Sequence, residues 1–209
     1  MPTTFADFLF PNTSCLGCRT ELNDTKFLCK KCEGYLVFNE KTAALTTNEK
    51  QYFEAALAPF RYVDPIVNVV LSLKYGSAGD SASFLAPYMA KTFSEQAPKI
   101  SQAILIPVPL HKKRATQRGY NQTLLIANAV SKILDFPVLN DVLVRTKDRS
   151  KEHKNLYGAF TVTDEKMIHG KIAIIIDDVF TTGATVNECA KALLHAGTSR
   201  VLVLTAALV

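Results

Sequence analysis

The sequence of 209 residues has no apolar run near the roughly 20 residues that a helix needs to span a bilayer. Residues 1–13 also lack the basic start and apolar stretch of a secretory signal. We therefore expect no membrane insertion and a cytoplasmic location. No internal repeat or low-complexity tract is present, and charged residues make up only 21% of the chain, which argues against a disordered or fibrous class.

The histidines and the net charge carry little information about function. The four histidines have no companions at metal-ligand spacing, so none is assigned to a site. The net charge of +5 suits a phosphorylated ligand and a nucleic acid equally well. The hydrophobic content of 48% is enough for the core of one full-sized domain with a small appendage.

Four of the five cysteines are close together in the sequence, as the pairs Cys15-x2-Cys18 and Cys29-x2-Cys32. In a reducing compartment such pairs favour a metal over disulfides. Four thiolates suit a structural zinc site, but an iron–sulfur cluster also uses four cysteines. We favour zinc because the spacing is that of a zinc ribbon and no redox partner motif is present. The fifth, Cys189, falls at an apolar helix position and is interpreted as a core residue.

The chain divides by composition into two parts. Residues 1–45 are polar and cysteine-rich, and we interpret them as a zinc-binding module. Residues 46–209 alternate apolar strands with amphipathic helices, which predicts an α/β domain with a mostly parallel sheet. The strand over 171–177 is apolar on both faces, as a central parallel strand must be. The other predicted elements are a helix from Asp64–Pro65 to Gly76, helices over 80–93, 121–134 and 184–196, and strands over 103–108, 138–144 and 200–206.

The segment that follows the central strand carries the clearest chemical pattern. Its residues are Asp177, Asp178, Val179, Phe180, Thr181, Thr182, Gly183, Ala184 and Thr185. Open α/β sheets bind ligands at this place, outside the carboxyl ends of the strands. The two carboxylates can accept hydrogen bonds from vicinal ribose hydroxyls, directly or through a divalent cation. The threonines offer hydroxyl donors, and the next helix directs the positive end of its dipole at a phosphate. We therefore interpret the segment as a sugar-phosphate site.

This segment resembles the phosphoribosyl pyrophosphate signature of type I phosphoribosyltransferases. Further motifs follow the order of the ComF family, which are competence-associated proteins similar to phosphoribosyltransferases. They are the four-cysteine module, Leu-Lys-Tyr-Gly at 73–76, Pro-Val-Pro-Leu at 107–110, Arg-Gly-Tyr-Asn-Gln at 118–122, Arg-Thr-Lys at 145–147 and Asn-Leu-Tyr-Gly-Ala-Phe at 155–160. The match covers nearly the whole chain. It implies a type I phosphoribosyltransferase fold and a link to DNA uptake and natural transformation.

The resemblance also implies a ligand and roles for individual residues. The ligand would be 5-phosphoribosyl pyrophosphate or a nucleotide, bound together with Mg²⁺. Asp177 and Asp178 would be the catalytic residues that hold the ribose, and 181–185 would bind the 5-phosphate. The pyrophosphate would be held by Lys74, Pro109, Arg118, Arg145 and Lys147.

One departure from the family keeps two hypotheses open. The insert before Asn155 is short, only Asp148 to Lys154, and in phosphoribosyltransferases the corresponding loop closes over the reacting centre. The first hypothesis is a phosphoribosyltransferase whose acceptor base the sequence does not identify. The second is a non-catalytic module that retains the phosphoribosyl pocket, senses a nucleotide, and binds single-stranded DNA or DNA-uptake proteins.

The basic loops fit both hypotheses. One cationic run covers 111–118 and another covers 145–154. Their charges suit pyrophosphate, and they suit a single-stranded DNA backbone equally well. Tyr75, Tyr120 and Tyr157 lie near these loops and would either stack on bases or pack within the protein.

Overall fold

The computed structural model describes residues 14–22, 27–40, 43, 50–74, 77–100, 102–110, 116, 119–146 and 158–209. Its helices and strands alternate along most of the chain. The helices are α1 (Lys30–Gly34), α2 (Ile66–Ser72), α3 (Ala78–Gln96), α4 (Gln122–Leu134) and α5 (Ala184–His195). The strands are β1 (Ala56–Leu57), β2 (Phe60–Arg61), β3 (Ile104–Pro107), β4 (Leu143–Arg145), β5 (Phe160–Val162), β6 (Ile172–Phe180) and β7 (Arg200–Leu208).

The main sheet is parallel throughout. Its order is β1-β7-β6-β3, and β2 also pairs with β7 beyond the end of β1. Strand β6 therefore lies between two neighbours, as its doubly apolar sequence predicts. Strands β4 and β5 form a separate antiparallel pair. This arrangement confirms the predicted α/β class with a mostly parallel sheet.

Buried side chains cover both faces of the sheet. Ile174 and Ile176 of β6 belong to a core shared with α2, α3 and α4, whereas Ala173 and Ile175 belong to a core shared with α5. This alternation is the period-two pattern of a strand. Because both faces are covered, only the strand ends offer polar side chains a route to solvent.

The predicted helices are present, with small changes at their ends. Helix α4 begins after Asn121, whose side chain accepts a hydrogen bond from Thr123 N. Helix α5 ends at His195, and Gly197 follows with φ 95°, a left-handed conformation that suits glycine after a helix. Helix α2 begins at Ile66, one residue later than expected, and Pro65 takes the N-cap position that was predicted for Asp64. No helix in the described ranges is long and apolar enough to cross a membrane.

The prediction of one continuous strand over 138–144 is wrong, because the structure divides this run between two pairing partners. Val138 makes a single parallel bridge to Leu105 at the open edge of β3, while Leu143 begins β4 and pairs antiparallel with Val162 of β5. The chain bends at Asn140, between two pairing partners that lie in different sheets. An apolar run indicates that residues are buried, but it does not indicate which strand they pair with. The sequence therefore predicts one strand where the structure has two separately paired segments.

The cysteine-rich segment packs directly on the larger part of the chain. Leu16 and Leu28 are fully buried in the same core as Ile66 and Val69 of α2. At Gly17 a Cβ atom would lie 2.7 Å from Pro65 Cβ and 2.8 Å from the Sγ of a neighbouring cysteine, so only glycine fits. The division into domains at 45/46 stays a prediction, because that boundary lies outside the described residues.

Candidate functional site

The candidate site lies at the carboxyl ends of β6 and β3. Asp177 and Asp178 are the sixth and seventh residues of β6, and both are half-buried. Beside them, Val108 N donates to Ile176 O over 2.9 Å, so the chain that leaves β3 stays next to β6. Pro109, predicted for the pyrophosphate, follows directly and is half-buried. The structure therefore brings the residues after both strands to one edge of the sheet.

The backbone is irregular at the two aspartates. Ile176 packs in the core of α2–α4, and Val179, three residues later, packs against that same core, so the face alternation shifts by one residue. Asp178 N donates to Asp177 Oδ1 over 2.9 Å, and Val179 N donates to Asp178 Oδ1 over 2.8 Å. The two carboxylates therefore satisfy the amides at this shift.

The two carboxylates have different surroundings. Burial raises the pKa of Asp177 well above its usual value, the charge of Asp178 raises it further, and the charge of Lys74 opposes the shift. Asp177 as a whole is half-buried, but its carboxyl group is largely removed from water. Asp178 Oδ2 lies 3.5 Å from Lys74 Nζ. The Asp177 carboxylate also contributes to the raised pKa of Cys189, a fully buried α5 thiol whose pKa is raised mainly by burial.

Lys74 reaches the site from the turn that follows α2. Its backbone N–H donates to Leu71 O over 2.9 Å, and the Tyr120 hydroxyl donates to Leu73 O over 3.0 Å. The turn is therefore held from the α2 side and from the segment before α4. Its side chain keeps 25% of its surface exposed beside Asp178, so the ammonium can also face an anionic ligand.

The turn between β6 and α5 contains a left-handed glycine directly before the helix. Gly183 has φ 81° and precedes the first residue of α5, and Asn187 N donates to its carbonyl over 2.9 Å. Thr181 and Thr182 are exposed, and Thr182 Oγ1 lies 3.4 Å from Ala184 N. A ligand at this turn would meet hydroxyl groups and the positive end of the α5 dipole.

The other members of the predicted set have varied positions. Phe180 packs edge-to-face on Phe53, with ring centroids 6.0 Å apart, so it is a core residue. Arg145 lies over the Phe160 ring at 5.4 Å, on the α5 side of the sheet. Arg118 and Lys147 lie outside the described residues, as do the basic run 111–114, the short loop 148–154, Tyr75 and Tyr157.

Sequence reasoning assigned no structural role to three polar side chains that tie α4 and α5 to neighbouring segments. Asn121 Nδ2 and Thr123 Oγ1 both donate to Val108 O, over 3.1 and 2.7 Å, and tie α4 to the chain after β3. Asn187 is 1% exposed, and it accepts from Tyr52 N and donates to Lys50 O. Asn121 stands in the motif at 118–122, and the signal for Asn187 is an asparagine on the apolar face of α5.

The four predicted metal ligands lie together. The Sγ atoms of Cys15, Cys18, Cys29 and Cys32 are all within 4.8 Å of one another, and those of Cys18 and Cys29 are 3.7 Å apart. A tetrahedral zinc ion with bonds of about 2.3 Å places its sulfur ligands roughly 3.8 Å apart, so the donor set fits. These four cysteines can hold a metal ion in a closed site of the structural kind.

The protonation of the cysteine cluster is uneven. Hydrogen bonds to the side chain and backbone of Thr20 lower the pKa of Cys18 to about 6. Burial raises the pKa of Cys32, and its cysteine neighbours add to that shift. The Cys18 thiol therefore loses its proton more readily than the Cys32 thiol.

No family model matches the sequence. Competence protein F of Haemophilus influenzae is 27% identical over 207 residues, which cover 92% of this chain and 89% of that protein. Competence protein ComFC of Bacillus subtilis is 25% identical over 81% of this chain and 67% of its own length. DNA utilization protein YhgH of Escherichia coli is 26% identical over 90% of this chain and 87% of its own length.

Solved structures similar to the chain include two hypoxanthine phosphoribosyltransferases. The enzyme of Trypanosoma cruzi aligns with a TM-score of 0.39 at 12% identity, over 61% of this chain and 63% of that one. The enzyme of Staphylococcus aureus aligns with a TM-score of 0.40 at 12% identity, over 61% of each chain. The chain thus spans under two thirds of these structures. In sequence, the chain is similar over 81% or more of its length to competence proteins F and ComFC and to DNA utilization protein YhgH.

Proposed function

We propose that the chain binds 5-phosphoribosyl pyrophosphate with Mg²⁺ at the carboxyl end of β6. The observation that carries this proposal is the convergence of the half-buried Asp177–Asp178 pair with Lys74, whose Nζ lies 3.5 Å from Asp178. Two carboxylates beside one cation suit a ligand that has hydroxyl donors and a strongly anionic group. The turn around Gly183 supplies the second phosphate site expected for such a ligand.

Each part of the site has a role in this proposal. Asp177 and Asp178 accept hydrogen bonds from the ribose hydroxyls. Thr181, Thr182 and the α5 N-terminus bind the 5-phosphate, and Lys74 binds the pyrophosphate. Oxygen donors of this kind suit Mg²⁺, which would supply positive charge to the pyrophosphate when bound. The structural ion at the four cysteines is proposed to be zinc, and the location is proposed to be cytoplasmic.

The proposal is tested by calorimetric titration of the full chain with 5-phosphoribosyl pyrophosphate and Mg²⁺ at several pH values. Saturable binding is expected. In titrations from about pH 5 to about pH 8, it should tighten as the pH rises through the raised pKa of Asp177. The reason is that the raised pKa of Asp177 keeps this carboxyl protonated below that pKa, and a protonated carboxyl loses acceptor capacity and charge.

The ligand itself also ionises in this range, since phosphate groups have a second pKa of about 6. The variant Asp177→Asn separates the two effects, because its remaining pH dependence belongs to the ligand. Absence of binding by the wild-type chain at every pH would exclude the proposed ligand. An identical pH profile for the variant would exclude the role of Asp177.

The names of the relatives favour a second function beside ligand binding. Competence protein F and DNA utilization protein YhgH are named for processes that involve DNA, so we propose that this chain also acts on DNA or with a DNA-processing partner. Binding of single-stranded DNA through phosphate contacts should weaken steeply as salt rises, with log K falling by about 0.7 per contact for each unit of log salt concentration. Salt-independent binding, or none, would exclude contact through phosphates.

Measurement of turnover distinguishes a phosphoribosyltransferase from a non-catalytic sensing module. A phosphoribosyltransferase would release pyrophosphate when a purified nucleobase is added with 5-phosphoribosyl pyrophosphate. A sensing module would bind the ligand and release no pyrophosphate with any base. The two parts of the chain, 1–45 and 46–209, would then divide between metal binding and ligand binding.

A further inference from the structure

The four-cysteine module contacts the helix that leads to Lys74. Arg19 follows the first cysteine pair with φ 65°, a left-handed conformation that directs the chain back. Its Nη2 donates to Ser72 Oγ over 2.6 Å, and Ser72 Oγ donates to Asn68 O over 2.8 Å. Ser72 is the last residue of α2 and is fully buried. A hydrogen bond from a guanidinium is stronger than one between neutral groups, so this contact is a substantial link.

A second contact joins the module to the start of α2. A Cβ atom at Gly17 would lie 2.7 Å from Pro65 Cβ, so the backbone of the cysteine turn already lies against the residue before Ile66. Leu16 is fully buried in the core that includes Ile66. The module therefore packs against the beginning of α2 and holds its end through Arg19.

The end of α2 continues without a break to the candidate site. Leu73 N donates to Val70 O over 3.2 Å and Lys74 N donates to Leu71 O over 2.9 Å, so both residues extend the last turn. Tyr120 donates to Leu73 O over 3.0 Å, so the segment before α4 also holds this turn. Only one residue, Leu73, separates Ser72, held by the module, from Lys74, whose ammonium lies 3.5 Å from Asp178.

We propose that the four-cysteine module positions Lys74 at the ligand site, through the hydrogen bond from Arg19 to Ser72. Arg19 and Tyr120 are positioning residues, which hold neighbouring residues of the Lys74 turn, Ser72 and Leu73, and do not touch the ligand. This inference rests on the proposed function of the site as a phosphoribosyl pyrophosphate site. It assigns the module a role in ligand affinity beyond its own stability.

The physical reason lies in the lysine side chain. Its ammonium is a point charge on a flexible four-carbon stem, so its location depends on where the backbone holds the Cα atom. A shift of the turn weakens the attraction between the ammonium and a pyrophosphate, because that attraction falls with distance. Loss of the Arg19 contact is therefore expected to weaken ligand binding roughly fivefold, the lower end of couplings between separate sites.

The test is a double-mutant cycle in the full metal-loaded chain. Affinity for 5-phosphoribosyl pyrophosphate and Mg²⁺ is measured by calorimetry for the wild type, Arg19→Ala, Lys74→Ala and the double variant. Metal content and hydrogen exchange of the segment 66–74 are measured on the same samples. Ser72→Ala removes the same hydrogen bond from outside the module, and Arg19→Lys, which keeps a donor, should restore part of the affinity. Lys91→Ala, on the exposed surface of α3, is the control for loss of a positive charge.

The expected result is a roughly fivefold loss for Arg19→Ala and Ser72→Ala, with unchanged metal content. In the Lys74→Ala background the same change should cost almost nothing, because residues that act through one another are not additive. Exchange at the amides of Leu73 and Lys74 should rise even without ligand. Equal losses in both backgrounds, or unchanged affinity and exchange, would overturn the proposal.

The exchange measurement separates this inference from the proposed function. If the wild-type chain binds no phosphoribosyl pyrophosphate, the proposed function fails, and exchange at 66–74 still decides whether the module holds the turn. If the wild type binds and Arg19→Ala binds equally well with normal exchange, the positioning role fails while the proposed function stands.

Discussion

Replacement of Asp177 and Asp178 together by asparagine is expected to abolish measurable binding of 5-phosphoribosyl pyrophosphate. Both residues lie half-buried at the end of β6, where each carboxylate can accept a hydrogen bond from the ribose and attract Mg²⁺. Hydrogen bonds to charged groups contribute about 1.5–3 kcal/mol each. Loss of two of them weakens binding by roughly 100-fold or more. Calorimetric titration beside the wild type measures the difference.

The stability of the single variant Asp177→Asn tests whether a loss of binding arises at the site or from unfolding of the chain. A carboxyl whose pKa is raised by burial stabilises the folded chain when protonated, and this contribution is lost as the pH rises through that pKa. Above it, the buried charge destabilises the fold. At a pH above that raised pKa, Asp177→Asn is therefore expected to stabilise the chain by about 1 kcal/mol, or roughly 2–4 °C in Tm.

A matched control for this change is Asp135→Asn. Asp135 lies beside the amino ends of β6 and β7, in a groove with Ile172 and Arg200, and its left-handed backbone conformation suits asparagine. It should leave both affinity and its pH dependence unchanged. Retained binding by the Asp177→Asn/Asp178→Asn variant, or equal loss in the control, would contradict the assignment of the site.

Removal of the metal from the four cysteines is expected to be the largest change in stability. Cys15 and Cys32 are buried in the core that includes α2. Loss of the ion would remove the bonds that hold the four cysteines together and would loosen this part of the core. Because metal binding and folding are linked, we expect a loss of at least about 3 kcal/mol, or roughly 6–12 °C in Tm. Thermal unfolding before and after treatment with a chelator measures this loss.

The same samples identify the ion and test whether the cluster cysteines, and not Cys189, bind it. Elemental analysis should give about one zinc per chain, and an iron–sulfur cluster would instead absorb visible light. Cys18→Ser should reduce the metal content and the Tm. Cys189→Ala is the matched control, because Cys189 lies in α5, is buried in the core on the other side of the sheet, and its variant should keep the metal. A Tm that is insensitive to both chelation and Cys18→Ser would exclude a structural role for the ion.

Much of the architecture follows from local patterns in the chain. The doubly apolar run before Asp177 identifies the central strand, because only a strand covered on both faces can be apolar at every position. Asn121 marks the start of α4, since its side chain can cap a helix. The cysteine pairs indicate their own site because two-residue spacing already brings two sulfur atoms together, and the structure brings the pairs together.

Other features were beyond the reach of such patterns. The run 138–144 reads as one strand, but Val138 and Leu143 pair with strands from different parts of the chain. The shift in alternation at Asp177 and Asp178 also leaves no trace in composition, because it depends on where the backbone amides find their acceptors. In the same way, Arg19 and Ser72 are 53 residues apart, and neither has a local reason to be noticed.

By itself the sequence determined the alternating class, the central strand, the cysteine site and the residue types at the carboxyl end of the central strand. These depend on period, spacing and side-chain chemistry, which act over a few neighbouring residues. Only the tertiary structure decided that Lys74 lies beside Asp178, that burial sets the pKa of Asp177, and that the cysteine module packs on α2. Those properties arise from contacts between distant segments, and such contacts exist only once both faces of the sheet are covered.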